Sequence, residues 1–491
     1  MLSGTISATL AGAGGLTKTS QDTVVLAGAN TYTGGTTLNA GALQINGSGT
    51  LGDPGGSTNI NGGILNLGLT TETQATWQLA AGMLTYGTAI GTTSFTMSIP
   101  QSGSAGTLSA NVTTPNFVMV GGTVDAGSTV TASLSFNMQQ GTVNGVLAGT
   151  GALTKSTNAT VTLRGLDTYS GDTTILAGTL QAAAVNTLSP NSAYTVAAGA
   201  TLDLYNNSQS IGSLAGAGSV TLGLGTLAIG NDGTSTTYSG IVSGTGGLTK
   251  IGGGTLLLTN TNSYSGPTSV NSGTLSVTGD ISSSSGVTVD TWSTLNGTGT
   301  VAATTINAGG TLTPGGSIGT LTVSGNLVLN SGANYSIQVS SSSACETVVT
   351  GTASVAGTFT VNPIAGNYSG SHTYTVLRST GLLSGTFSSL TPVSDDGATF
   401  SLSYDAHDVF LTVIVPSVTS ITAKTDNGAS DLNAGHVVTI SLVSMRPFTP
   451  PVAHSCCSTI MRSRTTPQAR ERTLLDLPIP CDRATTSLIC R

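Results

Sequence analysis

Two side-chain types return at fixed places along this chain and could do chemistry. Lys18, Lys155 and Lys250 occupy one position of a repeated stretch, and Tyr32, Tyr169 and Tyr264 occupy another. A ladder of ammonium groups and phenols could hold a ligand by ionic contacts and hydrogen bonds. Each also has a plainer reading: a lysine exposed beside a strand, and a tyrosine packed at a turn with its hydroxyl in water. The plainer reading is the expectation, because the copies start at residues 14, 151 and 246, too unevenly for one continuous ladder. Carboxylates are the second candidate. Asp395-Asp396 and Asp405/Asp408 lie closest together, and such groups serve in polysaccharide cleavage or as calcium ligands in loops. Here the expectation is a solvated Asp-Asp-Gly turn and a loop beside an edge strand. The histidines, His372, His407, His436 and His454, are isolated from one another, so no Ser-His-Asp site can be picked out. There is no H-E-x-x-H or Walker pattern and no nonapeptide calcium repeat. Glycine strings such as Gly12-Ala13-Gly14-Gly15 recur as turns without a helix signal behind them. No catalytic, cofactor-binding or metal-binding residue is assigned, no cofactor is expected, and the chain is not expected to be an enzyme.

The elements that carry these residues are copies of one block. Residues 14–45 read GGLTKTSQDTVVLAGANTYTGGTTLNAGALQI, and the block returns at 151–182 and 246–277 without a gap. Apolar positions match in all three: Leu16/Leu153/Leu248, Val24/Val161/Leu256, Leu26/Leu163/Leu258 and Leu43/Leu180/Leu275. Neighbouring columns are two residues apart, the period of a strand with one apolar face. Gly34/Gly171/Gly266 and Gly41/Gly178/Gly273 mark corners, where glycine accepts positive φ. Repeats of this size stack on one another as a solenoid.

Composition agrees. Of 491 residues, 68 are glycine, 7% are charged and 4% are aromatic, with a net charge of −7. Disorder usually needs higher charge and fewer β-branched residues; this balance fits many short strands joined by Gly, Asn and Ser turns. Only Lys18, Lys155, Arg164, Lys250, Arg378 and Lys424 are basic before residue 445. So few scattered cations exclude a nucleic-acid surface and a polybasic membrane contact. No apolar run is long enough for a membrane helix.

The block resembles the autotransporter-associated β-strand repeat of bacterial passenger domains, with its GGLTK…GTLTL…NTYTGGT…GTLQ pattern. Residues 297–330 and the run to 415, including SLSYDAHDVFLTV, resemble the segment that follows such repeats. The resemblance implies an all-β fold, a right-handed parallel β-helix, exported by the type V route and displayed or released outside the cell. It also implies that the region after the repeats is a cap and folding nucleus.

On this reading residues 1–317 form the repeat array and 318–415 the C-terminal cap. At roughly 20–25 residues per turn, residues 1–415 make about 16–20 turns and a rod of about 75–100 Å. Residues 46–150 are the least repetitive part, though Gly63–Leu69 and Phe117–Val124 still alternate, and Val220–Ile229 is expected as a short strand. Asp53-Pro54-Gly55-Gly56 is a turn. Residues 416–444 resemble the opening of a bacterial immunoglobulin-like repeat, too short for a sandwich of its own. The sequence at the start, GTISATLAGAG, reads as the middle of an array, so the expectation is a longer gene. Residues 445–491 hold none of the glycines, seven of the 13 basic residues and four of the five cysteines. The expectation is a disordered tail read out of frame, its cysteines forming no metal site. The function expected is that of a structural or adhesive passenger, touching glycan or protein surfaces through a Thr/Ser/Asn/Gly exterior. The alternatives are a β-helical polysaccharide lyase or hydrolase and a self-associating surface protein.

Overall fold

A computed structural model of the chain describes residues 3–100, 104–364, 371–392 and 398–414, and the backbone of 417–425 and 438–445. Among these residues every regular element is a strand. Most are three to five residues long, and almost all pair in parallel with a strand one turn later. Within each, burial alternates, as in Thr23–Leu26 and Ala42–Ile45. Period-two sequence therefore becomes one apolar face per strand, and the parallel register puts like on like: Val24 lies beside Leu43 and Leu43 beside Leu65. The result is a parallel β-solenoid of about 18 turns. At about 4.8 Å per rung the stack is about 85 Å long. The turn length varies, from 16 residues (Thr107 beside Thr123) to 31 (Thr358 beside Ser389). Two parts of the expected strand pattern change. Val220–Ile229 is two strands, Ser219–Thr221 and Leu227–Ile229, on either side of a corner. The alternating stretch from Gly63 narrows to Ile64–Asn66, with Leu69 fully exposed beyond it.

The glycines divide into two kinds. Gly41, Gly178 and Gly273 have φ of 70°, 65° and 69°, as their turn requires. Gly34, Gly171 and Gly266 do not have positive φ. A Cβ at these positions would stand 2.4 Å from Gly15 N, 2.5 Å from Ala152 N and 2.3 Å from Gly246 O. These glycines are needed because the backbone of the preceding rung passes too close for any side chain.

The least repetitive stretch of sequence carries the two longest strands, Met83–Met97 and Thr107–Met119, flanked by the long strands Thr71–Leu79 and Thr129–Met138. In them Trp77, Phe95, Phe117 and Phe136 lie in register on successive rungs. Ring centroids are 6.2, 5.9 and 6.3 Å apart, and Tyr169 continues the column 5.6 Å from Phe136. All five side chains are buried. Each adjacent pair of rings contributes about 0.5–1.5 kcal/mol beyond its area burial. Trp77 donates its indole N–H to Ile90 O at 2.9 Å, so the one polar atom of its ring is satisfied.

The parallel stack continues through residue 318 without interruption, Thr300–Ile306 pairing with Thr320–Leu329 and Asn334–Val339 with Thr358–Pro363. The pairing changes later. Ser371–Ser379 is parallel to Glu346–Val349 on one edge and antiparallel to Asp408–Ile414 on the other. Thr399–Tyr404 completes this antiparallel sheet. Below it Tyr335, Phe359 and Phe387 form an aromatic cluster with centroids 5.1–5.8 Å apart. Ser417–Thr425 and Val438–Met445 pair antiparallel as a separate two-stranded sheet. Residues 426–437 between them and the tail 446–491 lie outside the described residues.

Candidate functional site

The lysine column is not exposed. Lys18, Lys155 and Lys250 are buried, at 1%, 0% and 1% exposure. The reason is parity: in Leu16–Lys18 the leucine and the lysine share the inward face. Each ammonium turns into a corner and meets three acceptors, one for each N–H. Lys18 donates to Ser20 O, Ser20 Oγ and Ala40 O. Lys155 donates to Thr157 O, Thr157 Oγ1 and Ala177 O. Lys250 donates to Ile251 O, Gly252 O and Ser272 O at 2.6, 2.7 and 3.3 Å. The last acceptor always lies 22 residues ahead, on the next rung. The lysine therefore fastens one corner to the corner above it. Burial pushes the Lys155 and Lys250 ammonium groups below the usual lysine range, with Asp232 partly opposing this at Lys250.

The tyrosine hydroxyls are not in water either. Tyr32, Tyr169 and Tyr264 are buried and each hydroxyl lies 2.7 Å from a threonine four residues on: Thr36, Thr173 and Thr268. Those threonines reach the next rung through Leu51 O, Ser192 Oγ and Ser284 Oγ. Burial raises all three phenols, Tyr32 and Tyr264 to about 12.

A third polar column escaped the sequence reading. Asn30, Asp167 and Asn262 stand two residues before the tyrosines, on the same inward parity, and are buried. The side-chain oxygen of each accepts a backbone N–H exactly one rung back in the stack: Leu10, Leu147 and Val242, at 2.8, 2.9 and 2.9 Å. Glu72 and Gln209 do the same for Leu51 and Leu188, at 3.0 Å each. The signal was present as N-T-Y, D-T-Y and N-S-Y in the aligned blocks. Asp167 differs chemically from its two asparagine counterparts. Its second oxygen, Oδ2, is buried without a hydrogen-bond partner, and burial holds its carboxyl well above the usual range.

The acidic candidates at the C-terminal end do not converge. Asp405 Oδ1 accepts from His407 N and Asp408 N at 2.8 and 2.7 Å, bonds that hold its carboxyl below the usual range. Asp408 lies opposite Arg378 across the antiparallel pair, and Arg378 makes a 3.6 Å ion pair with Glu346. His407 donates its Nδ1–H to Gly381 O at 2.9 Å, and the His372 ring stacks 6.1 Å from that of Tyr374. Asp395, Asp396, His436 and His454 lie outside the described residues. Among the described residues no three His, Cys, Asp or Glu side chains gather as metal ligands. Cys345 is a buried free thiol. The polar columns are thus joints of the stack, and what solvent meets is its outer face. There the outward positions of the strands carry mainly Thr, Ser, Asn and Gln, as at Thr17, Thr37, Gln44 and Asn59.

Comparison with known proteins agrees with this architecture. The passenger-associated-transport-repeat family matches residues 16–45, 148–182 and 248–277, which are the rungs bearing the lysine and tyrosine joints. The Adhesin BmaC autotransporter of Brucella suis biovar 1 (strain 1330) is 32% identical over 337 residues, covering 55% of this chain and 10% of that protein. An extracellular serine protease of Serratia marcescens is 31% identical over 248 residues, covering 48% of this chain and 22% of that protein. The chain spans about a tenth and about a fifth of the length of these two relatives.

Proposed function

We propose that this chain, an autotransporter-type passenger of the secreted or surface-displayed kind built on the passenger-associated transport repeat, is an adhesive and structural rod. The observation that carries this reading is where the polar chemistry goes. The recurring Lys, Tyr and Asn/Asp side chains are all consumed in joining rung to rung, and what remains outward is a long, weakly charged face of hydroxyls and amides. Such a face meets glycan or protein surfaces through many weak hydrogen bonds, and the likeness to an adhesin supports that use. The likeness to a serine protease raises the alternative of peptide cleavage. Residues 1–371 contain no histidine, so a Ser-His-Asp site built from those residues alone has no base to draw on. In this reading residues 318–415 are the C-terminal cap, and its antiparallel strands Ser371–Ser379, Thr399–Tyr404 and Asp408–Ile414 close the end beside the aromatic cluster of Tyr335, Phe359 and Phe387.

The test is saturable binding of the full purified chain to cultured cells and to extracellular matrix. The bound fraction should change little with salt, since few charges are available to be screened. Cleavage of casein or of a polysaccharide panel by the purified chain would overturn the reading.

A further inference from the structure

The three strongly exposed aromatic side chains among the described residues are Tyr86, Tyr205 and Trp292, at 62%, 53% and 88% exposure. All three stand on left-handed backbone, with φ of 55°, 48° and 65°. The other described non-glycine residues with positive φ are Asn186 and Asn206, a residue type that tolerates it. Comparable bends close by use glycine: Gly87 next to Tyr86, Gly223 on the rung after Tyr205, and Gly309 on the rung after Trp292. A ring held in strained backbone and turned into solvent adds nothing to the core, and it costs stability that glycine or asparagine would restore.

Tyr86 and Tyr205 share one corner. Each follows the same line of strands, Met83 pairing with Thr107, Thr107 with Thr123, Thr123 with Thr142, Gly141 with Val161, Thr160 with Thr179, and Thr179 with Thr201. Six rungs at about 4.8 Å put the tyrosines about 29 Å apart along the rod. Each has an exposed leucine on an adjoining rung, Leu69 before Tyr86 and Leu224 after Tyr205. Between them, Asp125, Asn144 and Arg164 follow one another on successive rungs at the same corner.

We propose that this corner is a binding strip for an uncharged glycan chain lying along the rod, with Tyr86 and Tyr205 as its two stacking ends. The inference rests on the adhesive reading and gives it a place. A sugar ring has an apolar C–H face and a rim of hydroxyls. A phenol ring covers the first, and Asp125, Asn144 and Arg164 supply acceptors and donors for the second. Asp125 and Arg164 offset each other, and Asp203, which accepts from Tyr205 N at 3.0 Å, leaves one net negative charge at that end, which favours a neutral polymer over an acidic one. A protein partner would need an apolar centre, for which this corner offers only the exposed Leu166, Val185 and Leu224 around Tyr205; such a partner is the alternative that the test separates.

The experiment uses the full chain and immobilised cellohexaose, chitohexaose and mannohexaose, with an oligogalacturonate as the acidic arm. Wild type should bind at least one neutral chain. Tyr86→Asn and Tyr205→Asn should each weaken it roughly tenfold, the double substitution should abolish it, and Trp292→Asn, at another corner, should leave it unchanged. Thermal unfolding of both tyrosine variants should occur at the wild-type temperature or above, because asparagine relieves the strained φ. Unchanged binding in the tyrosine variants, a lowered unfolding temperature, or binding only to the acidic chain would overturn the strip. So would a chain that adheres to cells but binds no glycan, or adhesion lost when the cells are treated with protease and kept after glycosidase; the adhesive reading survives both results. A chain that adheres to nothing defeats both proposals.

Discussion

Replacing Asp167 by asparagine should stabilise the solenoid, and the gain should grow with pH. In the wild type Asp167 Oδ1 accepts from Leu147 N at 2.9 Å while Oδ2 is buried without a partner. Asn30 uses the matching amide nitrogen to donate to Thr50 O at 2.7 Å, and Asn262 to Asn260 O at 2.9 Å. The substitution supplies that donor, a hydrogen bond of about 1 kcal/mol. A second, larger effect comes from the proton. In the unfolded chain the aspartate ionises near pH 4, whereas burial raises its folded pKa well above that value. Between the two the folded state binds more protons than the unfolded state, so wild-type stability falls as pH rises, by up to about 1.4 kcal/mol per unit. The amide does not titrate. The difference between the two proteins should therefore be small and flat below about pH 4 and widen by at most about 4 kcal/mol by pH 7. Urea unfolding followed by far-ultraviolet circular dichroism at pH 4, 5, 6 and 7 measures it, other titrating groups being common to both chains. A difference that does not vary with pH, or a less stable variant at pH 7, would show that Asp167 is not held neutral in the stack.

Three further outcomes follow from the packing. Lys155→Met should lower stability by about 2–3 kcal/mol, because Thr157 O and Ala177 O lose their donor, while Arg164→Met on the exposed face should change it by less than about 0.5 kcal/mol; equal denaturant midpoints would contradict the rung-joining role. Phe117→Ala should cost about 3–5 kcal/mol by opening a gap between Phe95 and Phe136 in the ring column, seen as a fall in the urea midpoint. Gly266→Ala should destabilise because its Cβ meets Gly246 O at 2.3 Å, whereas Gly253→Ala, with open space and no positive φ, should be neutral or gain about 0.4–1 kcal/mol; paired thermal melts decide between them.

The fold could be read from the sequence because its two determinants are local: period-two apolar residues and corner glycines at matched places. The lysine joints could have been read too. Leu16 and Lys18 share a parity, so the alternation places the lysine inward, against the general habit of lysine to be exposed. What overrides that habit is a set of three carbonyl and hydroxyl acceptors, two of them on a turn whose shape appears only on folding. The ring column of Trp77, Phe95, Phe117 and Phe136 was illegible for another reason. Its members are separated by turns of unequal length, so no fixed period reveals that they share a register. The strained tyrosines have the same difficulty, since nothing in the string around Tyr86 or Tyr205 announces a left-handed φ. Where a glycine faces solvent space and where it faces the backbone of the rung below likewise depends on the stacked partner, not on the local letters.

The parallel pairing also decides how the molecule would carry a load. Its backbone hydrogen bonds run along the rod, and each rung holds only to the rungs on either side. Tension between the two ends therefore does not shear a whole sheet at once; it peels a single rung, breaking a few bonds, before the next comes under strain. A rung of about 20 residues at about 3.4 Å each frees on the order of 70 Å of extended chain. A stack of about 18 turns thus becomes a tether that lengthens many times over in small steps, with the ring column of its N-terminal half as the stretch that should give way last.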